Sequence, residues 1–304
     1  MSARAILDVA HTASAGALTP TAGAQRRFLR ELLWTRRSSG LAALMLVVLL
    51  LLAVGAPLVA PYDPAEQDLG NRYQPPARGH VAGTDAFGRD ILSRLIWGTR
   101  ISLLVGVVAV ALATSVGAVL GVTSGYVGGT LDRALMFVVD LLMAFPLLLL
   151  ALAIIATLGP GLMNVMLAIA LGSVPIFARV MRAETRAIRE RDFVAAAQSI
   201  GASHPRVIRK YILPNIMAST IVLASTRVGT AVLTEASLSF LGLGIRPPTP
   251  SWGIMVAEGR AYLEQAPWMA LIPGVTIMIT LLSFNLFGDG LRDALDVRLR
   301  HSGR

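Results

Sequence analysis

Three ionisable residues interrupt long apolar stretches of the 304-residue sequence: Asp140, Arg227 and Glu235. A charged side chain in the middle of a bilayer costs at least about 2.5–3.5 kcal/mol, so such residues pair with one another or line a polar path. Arg227 and Glu235 are eight residues apart, about 80° around a helix axis, and share one broad face. We expect either an ion pair of Arg227 with Asp140 or Glu235, or positions along a translocation path.

Most catalytic chemistry is excluded by the residue types that the chain lacks. It has no cysteine, which removes thiolate metal sites and cysteine nucleophiles, and its one lysine, Lys210, is not in a phosphate-binding GxxxxGK[ST] loop. The four histidines lie outside the apolar stretches, so Ser115 and Ser173 have no neighbouring base. The missing base disfavours a membrane protease or transferase. We therefore expect that the chain is not an enzyme and that it holds no catalytic residue, metal or cofactor.

The apolar stretches themselves predict the architecture. Hydrophobic residues make up 55% and charged residues 15% of the chain, against roughly 45–50% and about 25% in soluble domains. No charge occurs in 38–62, 101–131, 141–178 or 265–288, and about 20 apolar residues suffice to span a bilayer. We predict an all-α polytopic membrane protein with six transmembrane helices. They are expected at 41–60, 101–124, 134–157, 162–178, 216–242 and 269–287.

The basic residues predict the orientation. The segments on the side of the membrane that carries the N-terminus hold 19 lysines and arginines. Those on the opposite side of the membrane hold 7. Positive charge accumulates in cytoplasmic loops, so we expect both termini in the cytoplasm, and the net charge of +9 then reflects topology rather than nucleic-acid binding. The outer segment 61–100 is not poor in arginine, but its five acids predict local pairing.

Glycines recur every fourth residue along the second predicted span, at Gly117, Gly121, Gly125 and Gly129. On a helix, glycines at this spacing leave one side of the helix without side chains, so a second backbone can approach closely. Two interpretations remain open: packing against another helix of the same chain, or an interface with a second subunit.

The basic segment 179–215 carries the strongest functional pattern. Good helix formers run up to Gly201, a natural helix C-cap residue, and a second short helix is expected from Ser203 to Pro214. The segment holds more large apolar residues than a solvated linker needs, and these predict a docking surface for a cytoplasmic partner. They are Phe193, Val194, Ile200, Val207, Ile208, Ile212 and Leu213.

Residues 195–214 resemble the cytoplasmic EAA loop of ABC importer permeases, which reads E-A-A, three residues, G, about nine residues and I-x-L-P. Ala195 stands where the family has glutamate and Tyr211 where it has isoleucine, which puts one charged contact with the ATPase in doubt. The resemblance implies a coupling loop over 190–214 that docks on an ATPase subunit. Its expected residues are Phe193, Ala196, Ala197, Gly201, Leu213 and Pro214.

Four further stretches are similar to the dipeptide/oligopeptide/nickel branch of these permeases, of the second-permease-subunit type. They are 83–103, 125–146, 235–253 and 284–298, the last with Val297 where the family usually has proline. The resemblance implies the type I ABC importer permease fold. The expected layout is a cytoplasmic segment 1–40, a first helix and outer loop 41–98, a permease domain 99–288 and a cytoplasmic tail 289–304.

The same resemblance implies the partners and the function. A second homologous permease, two cytoplasmic subunits that bind ATP and Mg, an extracytoplasmic substrate-binding protein and membrane lipid are expected, and nucleic acid is not. The complex would move peptides or a related solute across the bacterial cytoplasmic membrane by alternating access. The substrate stays open among dipeptides, oligopeptides, a nickel chelate, an opine and glutathione. The alternative is a secondary carrier or channel without ATPases, which the sparse intramembrane charge disfavours.

Overall fold

The computed structural model describes residues 37–301, with side chains from Ser38 to Leu295, and this part of the chain forms ten α-helices. All but the last four residues of the predicted cytoplasmic segment 1–40 lie outside the described residues, as do the last three of the predicted tail. The helices are α1 Arg37–Val59, α2 Ile91–Val127, α3 Gly129–Met143, α4 Leu147–Leu158, α5 Leu162–Arg189, α6 Asp192–Ser199, α7 His204–Val207, α8 Leu213–Phe240, α9 Trp252–Gly259 and α10 Trp268–His301.

The prediction of an all-helical membrane protein is confirmed. Five helical stretches are long and apolar enough to span a bilayer: α1, α2, α5, α7 to α8, and α10. The remaining predicted span, the third at 134–157, is formed by the pair α3 and α4, which is bent by 88° and gives a total of six if the pair crosses as one span. Pro146 lacks a backbone N–H and disfavours helical geometry at Phe145, so the break falls where the sequence requires it.

Three helices run well beyond their predicted ends: α2, α5 and α10, of which α10 continues to His301 rather than stopping near 287. α2 has 37 residues, about 55 Å at 1.5 Å per residue, and α5 continues to Arg189 rather than stopping near 178. A bilayer core is about 30 Å thick, so these helices extend past it. The arginines of α5 that were assigned to a loop therefore lie on a continuous helix, because a charge ends an apolar stretch without ending helical geometry.

The glycine ridge of α2 packs against α5 of the same chain. A Cβ atom added at Gly117 would lie 2.5 Å from the Cβ of Phe177, and one at Gly121 would lie 2.5 Å from the carbonyl oxygen of Ala178. Gly125 meets the Arg182 carbonyl oxygen in the same way, at 2.6 Å. Of the two interpretations left open, close packing within the chain is therefore the one observed, while Gly129 has open space around it.

The end of the molecule that carries α9 and residues 60–90, here called the α9 end, contains a buried ion network. Arg89 binds Asp85 (2.6 Å) and Glu258 (3.0 Å), and Arg94 binds the same two carboxylates, at 2.8 Å from Glu258. Asp85, Arg89 and Arg94 are all buried. The predicted local pairing of the acids in 61–100 is thus confirmed for Asp85, and Glu258 connects the segment to α9.

Candidate functional site

The loop between α5 and α8 lies at the opposite end, here called the α6 end. After the turn at Glu190, the short helix α6 ends at Gly201, whose φ is +83°. The Ala202 N–H donates to the Ala197 carbonyl (3.0 Å) and the Gly201 N–H to that of Gln198 (2.9 Å). This is the Schellman helix end, which favours glycine at the left-handed position. The prediction that Gly201 ends the helix is confirmed.

Helix α6 has one buried and one exposed face. Val194 and Ala197 point into the protein, where Val194 joins an apolar cluster with Val207 and Ile212. Phe193 is 45% and Ile200 85% exposed, and Ala196 is exposed with them. The seven apolar residues expected on a docking surface are therefore divided: Val194, Val207 and Ile212 belong to the core, Ile208 and Leu213 are half-buried, and Phe193 and Ile200 face outward. Pro214, the remaining predicted site residue, is exposed.

The second short helix of the loop does not end at Pro214, contrary to the sequence-based expectation. α7 continues through a π-helical turn, Ile208–Ile212, into α8, and Pro214 lies in the first turn of α8. Proline is tolerated there because the first N–H groups of a helix have no intrahelical partner. One continuous helical path therefore runs from His204 to Phe240, and α6 connects it to α5.

Tyr126, near the end of α2, holds α6 and α7 together. Its hydroxyl lies 2.8 Å from Nδ1 of His204 and accepts a long hydrogen bond from the Gln198 amide (3.4 Å). The Arg189 guanidinium lies 5.7 Å from the Tyr126 ring centre. The sequence pattern gave Tyr126 no role beyond its place in the similar stretch 125–146, because its partners are far away along the chain.

Two carboxylates of α3 bind arginines of α5. Asp132 accepts hydrogen bonds from Nε and Nη2 of Arg182 (2.6 and 2.7 Å), from Arg186 (2.6 Å) and from the Ser124 hydroxyl. Asp140, two turns further along, binds Arg179 at 2.6 Å. The three arginines follow the i, i+3, i+7 spacing of one helix face. These arginines were not predicted to bind carboxylates, because they lie beyond the apolar stretch and were expected in a loop.

The predicted pairing of Arg227 is wrong. Among the described residues Arg227 forms no ion pair with Asp140, which binds Arg179, or with Glu235. Glu235 is fully buried and accepts hydrogen bonds from the hydroxyls of Ser102 (3.3 Å), Ser239 (2.7 Å) and Ser251 (3.0 Å). The three residues occupy separate places because α3 contacts the arginine-bearing face of α5, whereas Glu235 faces α2 and the start of α9. Positions along a path remain a prediction for them.

Comparison with known proteins agrees with this architecture. The family model described as the binding-protein-dependent transport system inner membrane component matches residues 117–301, and the N-terminal transmembrane domain of oligopeptide transport permease C matches residues 33–76. The chain is similar to the dipeptide transport system permease protein DppC of Alkalihalophilus pseudofirmus, at 43% identity over 89% of this chain and 90% of that protein. It is also 43% identical to the glutathione transport system permease protein GsiD of Escherichia coli O157:H7, over 90% of this chain and 89% of the relative.

Solved structures show the same fold. An inward-facing form of the MetNI methionine ABC transporter superposes with a TM-score of 0.55 at 20% identity, covering 67% of this chain and 97% of that one. An amino acid ABC transporter with histidines gives a TM-score of 0.53 at 17% identity, covering 66% of this chain and 94% of that one. The fold is that of a type I ABC importer permease.

These findings define a multi-pass inner membrane protein that acts in transport. The chain belongs to the family of binding-protein-dependent transport system inner membrane components, and within it to the second-permease type represented by DppC and oligopeptide transport permease C. It is a permease subunit of an ABC importer, as the five ordered sequence stretches predict. The predicted domain boundaries stay predictions.

Proposed function

We propose that this permease subunit imports di- or oligopeptides, or a closely related small solute, by alternating access driven by partner ATPases. The substrate class is supported by relatives named for dipeptide and glutathione transport. The partners are a second homologous permease, two cytoplasmic ATP-binding subunits that hold ATP and Mg, and an extracytoplasmic binding protein. This chain supplies no ATP-binding residues, and both of its termini lie in the cytoplasm.

The exposed face of α6 is the observation that carries the proposal. Phe193, Ala196 and Ile200 form an exposed apolar strip at the α6 end, and large exposed apolar residues outside the bilayer mark protein contacts. An ATPase subunit docks on this strip. Because Ala195 replaces the family's glutamate, the contact here is apolar rather than ionic. Ala197 supports the strip from behind, since it is buried.

Movement of α6 is transmitted because the helix is firmly attached. Val194 packs in the cluster with Val207 and Ile212, and Tyr126 joins the end of α2 to both α6 and α7. Closure of the ATPases would therefore shift α2, α5 and α8 together, a rigid-body change rather than local chemistry. The outer segments 61–100 and 243–268 would meet the binding protein at the α9 end.

Co-purification of the tagged chain from its native membrane tests the proposal. We expect a second permease and two P-loop ATPases, and ATP-dependent uptake by the reconstituted complex. Ile200→Arg and Ala196→Arg should release the ATPases. The matched control is Leu69→Arg, which adds the same charge at an exposed apolar position of the α9 end and should retain them. A chain that purifies alone and moves solute without ATP would support the carrier alternative.

A further inference from the structure

The ion pair of Asp140 and Arg179 uses only part of its bonding capacity. One guanidinium nitrogen, Nη2, donates to Oδ1 of Asp140 at 2.6 Å. Among residues 38–295, no hydrogen bond reaches Asp140 Oδ2 or leaves Arg179 Nε and Nη1. The side chains are 57% and 46% exposed. A cationic donor surface and an anionic acceptor thus lie side by side and accessible.

The neighbouring carboxylate shows what a structural pair looks like in this protein. Asp132 receives four hydrogen bonds from three residues, and its side chain is only 5% exposed. Both of its oxygens are used, by Arg182, Arg186 and Ser124. Asp140 sits on the same helix two turns away with one oxygen bonded. The two positions are therefore built differently, and only Asp140 leaves room for a ligand.

The pair lies near the α6-end boundary of the membrane-spanning part of α5. Arg179 is 17 residues from the start of α5 at Leu162, about 26 Å along a helix in a bilayer core of about 30 Å. Its neighbours on α3, Phe137 and Leu141, are exposed and apolar. At this level a charged pair can be hydrated from the α6 end, and both side chains are about half exposed. The free donors and the free acceptor are therefore accessible to a ligand that arrives through water.

We propose that Asp140 and Arg179 form a binding position for the charged termini of a zwitterionic peptide. The substrate carboxylate binds the free N–H groups of Arg179, and the substrate ammonium binds Oδ2 of Asp140. Charge-assisted hydrogen bonds of both kinds are stronger than neutral ones, and guanidinium suits a carboxylate. This inference rests on the proposed import of peptides and adds that the permease itself recognises their termini.

Cysteine accessibility tests the inference without altering the pair, since the chain has no native cysteine. Ala144→Cys places a thiol one turn from Asp140 on an exposed position, and Val138→Cys places one about 160° around α3. In the purified complex in nanodiscs without binding protein, a cationic methanethiosulfonate should label Ala144→Cys. The dipeptide Ala-Ala should slow this labelling, and N-acetyl-Ala-Ala-amide, which has no charged termini, should not. Val138→Cys should show no protection by either compound.

Charge-neutral variants then assign the protection to the pair. In the Ala144→Cys background, Asp140→Asn and Arg179→Gln should each raise the Ala-Ala concentration needed for half-protection by about tenfold, the loss expected for one charge-assisted hydrogen bond. The matched control is Glu184→Gln, which removes a charge from α5 at a residue bound by Ser219 (2.6 Å). It should leave the half-protection concentration unchanged.

The outcomes separate this inference from the proposed function. An unreactive Ala144→Cys would show a dry face and overturn the inference. Labelling that Ala-Ala does not slow, or slows no better than the blocked peptide, would overturn it too and leave a structural ion pair. Absence of ATP-driven uptake by the unaltered complex would contradict the proposed function itself. The labelling measurement keeps both side chains of the pair, so it does not depend on whether the neutral variants assemble.

Discussion

The two ends of this permease hold their charges in different ways. At the α9 end, Asp85, Arg89 and Arg94 are almost completely buried, and both arginines bind Asp85 and Glu258. Glu235 is enclosed by three serine hydroxyls. Towards the α6 end, Arg179 and Arg186 are about half exposed while they bind carboxylates of α3. A buried pair fixes geometry because neither partner can be rehydrated, whereas an exposed pair can exchange partners.

This difference assigns mechanical roles to the two ends. The network of Asp85 and Glu258 joins residues 60–90 and α2 to α9, and Glu235 joins α8 to both α2 and the start of α9 through Ser102 and Ser251. The α9 end is therefore a single rigid unit. At the α6 end, half-exposed arginines of α5 bind α3, whereas α6 and α7 are attached through the buried cluster of Val194, Val207 and Ile212, so they move together with the helices that they contact.

The largest effect should follow from breaking the network at the α9 end. Arg94→Leu leaves Asp85 and Glu258 with one fewer cation in a buried site, and losing one partner of a buried pair destabilises by about 3–5 kcal/mol. We expect a marked fall in the yield of folded chain and in the midpoint of thermal unfolding of the purified complex. A midpoint equal to that of the unaltered complex would contradict the assignment of a rigid α9 end.

Gly201→Pro should have the next largest effect and should act on coupling. Proline fixes φ near −65°, whereas Gly201 has a φ of +83°. The Schellman end of α6 is lost and the exposed strip is misdirected, so ATP-driven uptake should be abolished while the chain still inserts. Gly159→Pro is the matched control, since this glycine also has a positive φ, +85°, and open space around it, but lies between α4 and α5 away from α6. Uptake retained in the Gly201 variant would remove α6 from the coupling path.

The sequence predicted the spans, the turn glycine and the glycine ridge because each depends on local spacing alone. Apolar length located the membrane helices, and the fourfold spacing of Gly117 to Gly125 required a close helix neighbour. Ion-pair partners were predicted poorly for a physical reason. Pairing depends on how helices are rotated against each other, so Arg227 was given a carboxylate that Arg179 binds instead. For the same reason, the sequence did not show that Ile200 is exposed whereas Ile212 is buried.

A comparison of the two α3 carboxylates sharpens the distinction further. Asp132→Asn replaces one oxygen acceptor with a donor directed at arginines, in a site that is 5% exposed. The loss of charge-assisted hydrogen bonds should lower stability by about 1.5–3 kcal/mol. The measurement is the unfolding midpoint of the purified complex, with Asn164→Ala, a change at the other end of α5, as a reference. An unchanged midpoint would show that the bidentate Arg182 contact is not needed to hold α3 on α5.

The smallest effect on stability should come from Asp140→Asn, although it removes one carboxylate charge from α3 just as Asp132→Asn does. Asp140 makes one hydrogen bond and is 57% exposed, and exposed ion pairs contribute about 0.2–1 kcal/mol. The unfolding midpoint should therefore barely move, while uptake of a peptide with free termini falls. A midpoint lowered as far as in Asp132→Asn would mean that both carboxylates are structural. The contrast between a filled and a half-used ion pair on one helix would then carry no functional meaning.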